Sequence, residues 1–169
     1  MIQRVLVPTD FTVNSLRIVL EYLENNNDEQ VELVLVYGYK LGESISMLLG
    51  FTLDDHLAEM QNDDFLKGCE IIKSRFKDKV VEMYADCMIS KNTRYVRNYL
   101  KGRQFTQIVL PDAFEFQNVE HTFDVVELLR TQPLPLPQVI PVAMGEDEMS
   151  RHDTLDSFFF RKKWRFSYE

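Results

Sequence analysis

Asp10 is the residue best placed to do chemistry. It follows the apolar run Val5-Leu6-Val7 through Pro8 and Thr9 and precedes Phe11-Thr12. In an open α/β sheet, ligands usually sit at the carboxyl end of the first strand. Two readings of Asp10 stand side by side. In one it meets a ligand, with Thr9 and Val36 at the end of the second strand completing the pocket. In the other its carboxylate closes an Asx-type turn that supports the next helix. Asp86 falls near the end of the strand expected over 80–88, and an Asp10–Asp86 pair would suggest a phosphoacceptor pocket. No paired acids follow the first strand and no lysine ends the fifth, so the charge-balancing parts of such a pocket are missing.

The other titratable groups point to less. Asp55, His56, Glu59 and Asp63 share part of a helix face without an H-x-x-x-H pair, the pattern of a solvated acidic face more than of a metal site. Cys69 and Cys87 form no C-x-x-C motif and fall in apolar segments, where core packing is expected. That cysteine usage, with no secretory leader ahead of the first strand, predicts a cytoplasmic protein. No G-x-S-x-G, P-loop or H-x-G-H signature occurs. No residue is assigned a catalytic role, and the chain reads as a non-enzyme.

The elements that position Asp10 follow from periodicity. Thr12 can cap a helix whose apolar face is Leu16, Val19, Leu20 and Leu23. Residues 31–37 form a second strand apolar enough to be covered on both faces, and the right-handed crossover makes the two strands parallel. Glycines bracket an apolar stretch over 38–52, which is either a lid or a cover for the top of the sheet. A single helix is expected over 54–77, strands over 80–88 and 107–110, and helices over 92–101 and 119–130. Gln132-Pro133-Leu134-Pro135-Leu136-Pro137 excludes regular structure. The last strand, 138–144, carries Pro141 and belongs at a sheet edge.

With 169 residues and 45% apolar content, the chain can bury one well-packed domain. Its net charge of −8 argues against a general nucleic-acid or anionic-membrane binder, and no apolar run is long enough for a membrane span. Domain and tail divide at residue 145. Residues 146–156 are polar and rich in acids, with Glu146, Asp147, Glu148, Asp153 and Asp156. Residues 157–169 place Phe158, Phe160, Trp164, Phe166 and Tyr168 at even positions, with Arg161, Lys163 and Arg165 at odd ones. That alternation predicts a two-faced strand that docks on its own domain or on a partner subunit, sheltering the aromatics from water.

The order of elements, the start Val-Pro-Thr-Asp-Phe-Thr, the second strand ending in Val-Tyr, the fourth strand Ile-Val-Leu-Pro and the fifth Val-Ile-Pro-Val-Ala resemble the universal stress protein family over residues 3–144. The resemblance implies a parallel five-stranded α/β sheet of order 3-2-1-4-5 with helices on both faces. It also implies a homodimer built on the fifth strand, here Val139, Pro141 and Val142, to which Phe160, Trp164 and Phe166 of the tail would add. Nucleotide-binding members hold adenine near the aspartate that matches Asp10, and they cradle phosphates with G-x-x-G-x9-G-[S/T] after strand four. Here that motif is replaced by Pro111-Asp112-Ala113-Phe114-Glu115-Phe116, and no glycine lies between Gly102 and Gly145. A phosphate cradle needs inward N–H groups at close approach, so triphosphate binding of this kind is not expected. Thr122 is a capping or turn residue rather than a phosphate ligand. The expectation is a non-catalytic stress-response or regulatory homodimer with no cofactor and an unidentified regulatory protein partner. The alternative is a small-ligand sensor that holds an adenine-like or other apolar planar group near Asp10.

Overall fold

A computed structural model describes residues 2–25, 30–41, 52–117, 119–133 and 135–144. The chain runs β1 (Gln3–Pro8), a 3-10 turn at Val13–Ser15, α1 (Leu16–Asn25), β2 (Val31–Tyr39), α2 (Leu53–Met60) and α3 (Asp63–Arg75). It continues through β3 (Val80–Met88), α4 (Thr93–Gly102), β4 (Gln107–Pro111), β5 (Thr122–Phe123), α5 (Val125–Thr131) and β6 (Gln138–Val142).

Five strands form a parallel sheet of order β3-β2-β1-β4-β6, the expected order with β6 in fifth place. The pleat explains why the inner strands read as nearly continuous apolar runs. Val5, Val7, Leu33 and Leu35 face one way and pack with α1 and α3. Leu6, Val34 and Val36 face the other way and pack with α4 and α5. Helices thus cover both faces. Pro141 lies on β6, a sheet edge, as its missing donor requires.

Two expectations are corrected. The single helix over 54–77 is two helices, because the Asn62 side chain accepts from Phe65 N at 2.8 Å and starts α3 anew. The helix expected from 119 begins only at Val125, capped by Asp124. The residues before it form β5, which pairs antiparallel with β2, Gly38 opposite Phe123 and Tyr39 opposite Thr122. The apolar stretch expected as a lid or cover falls mainly on residues 42–51, outside the described residues, and so does the tail.

Two polar clusters tie elements together. Arg4 and Tyr84 both donate to Glu32 Oε1, at 3.0 and 2.8 Å, linking β1, β2 and β3. Burial pushes the Glu32 carboxyl up, but the bonds from Arg4 and Tyr84 outweigh it and hold the group below its ordinary pKa. Farther along the same face Asp86 accepts from Tyr99 and from Arg103 Nε, both at 2.8 Å, stapling β3 to α4.

A Cβ on Gly38 would lie 2.4 Å from the Phe123 ring and 2.7 Å from its carbonyl oxygen. Gly38→Ala is therefore expected to push β5 off the sheet and to lower unfolding free energy in urea by about 1–3 kcal/mol; unchanged stability would mean that β5 does not sit on β2. Glu32→Gln is expected to destabilise at neutral pH. The gap to the parent should close as pH falls through the carboxylate range, because a carboxyl depressed in the folded state stabilises only while it is ionised. Thermal melts of both proteins across that range are the measurement.

Candidate functional site

The turn after β1 is closed by its own side chains. Asp10 Oδ1 accepts from Thr12 N at 3.0 Å and from Thr12 Oγ1 at 2.6 Å. Thr12 Oγ1 in turn accepts from Ser15 N at 3.2 Å, capping the 3-10 turn as expected. Ser15 Oγ donates to Thr12 O, which leaves the Thr9 hydroxyl to donate to Ser15 Oγ across 2.9 Å while accepting from Phe11 N. Phe11 lies between them at φ 62. That left-handed conformation costs a non-glycine residue about 1–2 kcal/mol. The cost is offset by burial of the ring, edge-on to Tyr37 at 4.6 Å and to Phe65 at 5.3 Å.

The second carboxylate oxygen of Asp10 is also engaged. Oδ2 accepts from Gln117 N at 2.8 Å, drawing the segment after β4 across the end of β1. Phe116, Gln117, Val119 and β5 then close over Pro8–Asp10, leaving a cleft of about 20 Å³ among the described residues. That is room for about one water molecule. Thr9 is buried, and its N–H donates to Val36 O at 2.9 Å. Val36 itself packs wholly into the α4/α5 core and does not line the cleft. Of the three residues expected at a ligand, Asp10 and Thr9 therefore border the cleft and Val36 contributes its carbonyl beneath it.

The segment in the place of a phosphate cradle serves another purpose. Asp112 N donates to Val142 O at 3.0 Å, and Asp112 Oδ1 accepts from Met144 N at 3.1 Å. Arg130 donates to Pro111 O at 2.6 Å, and the buried Arg17 donates to Met144 O at 2.8 Å. Pro111 and Asp112 clasp the exit of β6. Thr122 closes a turn, its hydroxyl donating to Val119 O at 2.7 Å and accepting from Val119 N at 3.0 Å.

Sequence reasoning missed the aromatic and imidazole cluster beside the cleft. His56 Nε2 is hydrogen-bonded to the Tyr37 hydroxyl. Its ring stacks on Tyr37 at 5.6 Å and meets Tyr39 at 4.2 Å, and His121 approaches the other side of Tyr39 at 5.9 Å. Burial lowers the His56 pKa against the opposing charge of Glu59, which favours a neutral imidazole. The sequence signal was Tyr37 and Tyr39 on alternate strand positions opposite a histidine on the covering helix.

Asp86 points toward α4 rather than toward Asp10, so the two carboxylates do not share a pocket. Burial pushes both the Cys69 and the Cys87 thiol up to about 12, which leaves them protonated and poor nucleophiles at neutral pH. Among the described residues no three His, Cys, Asp or Glu side chains converge as metal ligands, and no helix is long and apolar enough to cross a membrane. On β6, Val139 is 39% exposed and Pro141 is exposed, whereas Val142 is buried in the core. Phe160, Trp164 and Phe166 lie outside the described residues.

No family model matches the chain, and no curated protein matches it in sequence. Among solved structures it is similar to the universal stress protein UspA from Lactobacillus plantarum, at 14% identity and a TM-score of 0.47, over 83% of this chain and 97% of the other. It is also similar to a universal stress protein in complex with cAMP, at 12% identity and a TM-score of 0.47, over 83% and 96%. A hypothetical protein, PH0823, overlaps at 15% identity and a TM-score of 0.48, over 83% and 95%. The fold itself rests on the strand order β3-β2-β1-β4-β6, and the site rests on its own side chains.

Proposed function

We propose that this chain is a non-catalytic regulatory protein of the universal stress type, acting as a homodimer and binding no ATP. The observation that carries this reading is the state of Asp10. Both carboxylate oxygens are used by the chain itself, and the cleft beside them has a volume of about 20 Å³, far below the 300 Å³ or so at which small-molecule sites begin. The residues after β4 support it further. Pro111 has no N–H to offer a phosphate, and Asp112 is spent on the backbone of β6. Regulation then acts through protein contacts.

The open edge at β6 supports the dimer. Because Val142 O faces β4, the pleat turns the backbone of Pro141 outward, where its missing N–H interrupts any continuous ladder. Two copies would meet there mainly through side chains, with the exposed Val139 among them.

Titration calorimetry with ATP, AMP and adenosine is expected to give no saturable heat. Asp10→Ala is expected to cost about 1–2 kcal/mol of stability through the lost turn and cap, with no affinity to lose. Saturable binding that disappears in Asp10→Ala would replace this reading with the small-ligand sensor that holds an adenine-like group near Asp10. Light scattering is expected to give twice the chain mass for the parent and one chain mass for Val139→Lys; a monomeric parent removes the homodimer.

A further inference from the structure

A groove of about 390 Å³ runs between α1 and the outer side of β6. Tyr22 and Ile140 give it apolar walls, Gln107 lies in its floor, and Glu21 stands on its rim. Glu24 follows three residues along the same helix, the spacing that makes helix neighbours. Burial and the nearby Glu21 charge raise its carboxyl above its ordinary pKa against the opposing pull of Lys79. The groove combines an apolar trough with an acidic border.

Its upper end coincides with the place where the described chain stops. Ala143 lines the groove, and Met144, one residue on, is held by Asp112 and Arg17. Residues 145–156 can span up to about 40 Å when extended, whereas a five-residue strand such as β6 measures about 17 Å. The stretch that follows can therefore turn back along the whole groove. In residues 157–169 the even positions carry five aromatics interrupted by Lys162, and the odd ones carry Arg161, Lys163 and Arg165 with Phe159, so one side of an extended segment is mainly apolar and the other mainly cationic. Pro141 leaves no outward N–H at the middle of β6, which makes side-chain packing, not a full ladder, the basis of any contact there.

We propose that residues 157–169 dock on the α1–β6 groove of their own chain, with Trp164 and neighbouring aromatics against Tyr22 and Ile140, and Arg161, Lys163 and Arg165 toward Glu21 and Glu24. Nucleic acid and anionic membranes fit the tail's chemistry but not its setting, since the body it is attached to is strongly acidic. The docked segment covers the α1 side of β6 and leaves Val139, on the opposite side of the pleat, available to a second copy.

Trp164 is the only tryptophan, so its fluorescence reports the tail directly. In the full chain its emission is expected at shorter wavelength than in the urea-unfolded chain, protected from iodide and unchanged on dilution. Glu21→Lys with Glu24→Lys, both near the carboxyl end of α1 where cations suit the helix dipole, is expected to shift the emission toward the unfolded position while far-ultraviolet circular dichroism stays constant. High salt is expected to move the parent the same way, which decides the matter should the double variant not fold. The proposal falls if the parent already emits as an exposed indole, or if neither the substitutions nor salt moves the emission. It falls equally if the short-wavelength emission is lost on dilution in step with a halved molar mass, which would assign the tail to the partner subunit.

Discussion

Every backbone polar group at the carboxyl ends of a buried parallel sheet must find a partner once water is excluded, and in this chain the partners come from within. Thr9 N takes Val36 O, Gln117 N takes Asp10 Oδ2, Lys40 N takes His121 O, and Asp112 takes both Val142 O and Met144 N. In doubly wound folds that bind ligands, this is the region where backbone donors are left facing the crevice. Here the crevice has been roofed by Phe116, Gln117, Val119 and β5, and that choice determines much else. Gly38 is needed so that β5 can lie against β2, and Asp124 must begin α5 late because the residues before it are occupied as a strand.

The buried charges follow the same logic. Asp86 is buried yet accepts from Tyr99, Arg103 and the Cys87 N–H, so its charge is matched on the spot. Such pairs contribute modest net stability because desolvation offsets most of the attraction, while breaking one is costly. Their effect is to fix placement. Asp86 locks α4 against β3, and Glu32 holds β1, β2 and β3 in register from the opposite end of the strands.

What could be read from sequence, and what could not, divides along the range of the interaction. The parallel strands and the edge position of Pro141 come from apolar periodicity and from proline's missing donor, which are local properties that tertiary packing reinforces, whereas the strand order came only from the resemblance to the universal stress protein family. The helix over 54–77 was misread because its acidic and apolar positions continue in phase past the break, and only the geometry of Asn62 shows that a new helix starts there. β5 is two residues long, too short for any period, and owes its existence to Gly38, far away in sequence. The Asx turn at Asp10 was legible as an alternative. Its bond to Gln117 was not, since nothing in a polar loop announces which backbone N–H will meet a carboxylate a hundred residues earlier.

Whether the closed cleft is a permanent state is a matter of energies. Opening it breaks the bond from Gln117 N to the ionised Asp10, about 1.5–3 kcal/mol, and the bond from Lys40 N to His121 O, about 1 kcal/mol. The short β5 ladder and the packing of Phe123 on Gly38 would go as well. Against this, opening releases His121 from φ 71, a relief of about 1–2 kcal/mol. Even before lost packing is counted, the balance favours closure by about 0.5–3 kcal/mol, which weakens the apparent affinity of any entering ligand by about twofold to a hundredfold. A planar base could offset that only by stacking on aromatic faces, and the rings that line the cleft are engaged: Tyr37 with Phe11, Phe116 with Phe114, and Phe123 with Gly38. The carboxylate and the rings that border the cleft are the same groups that hold it closed.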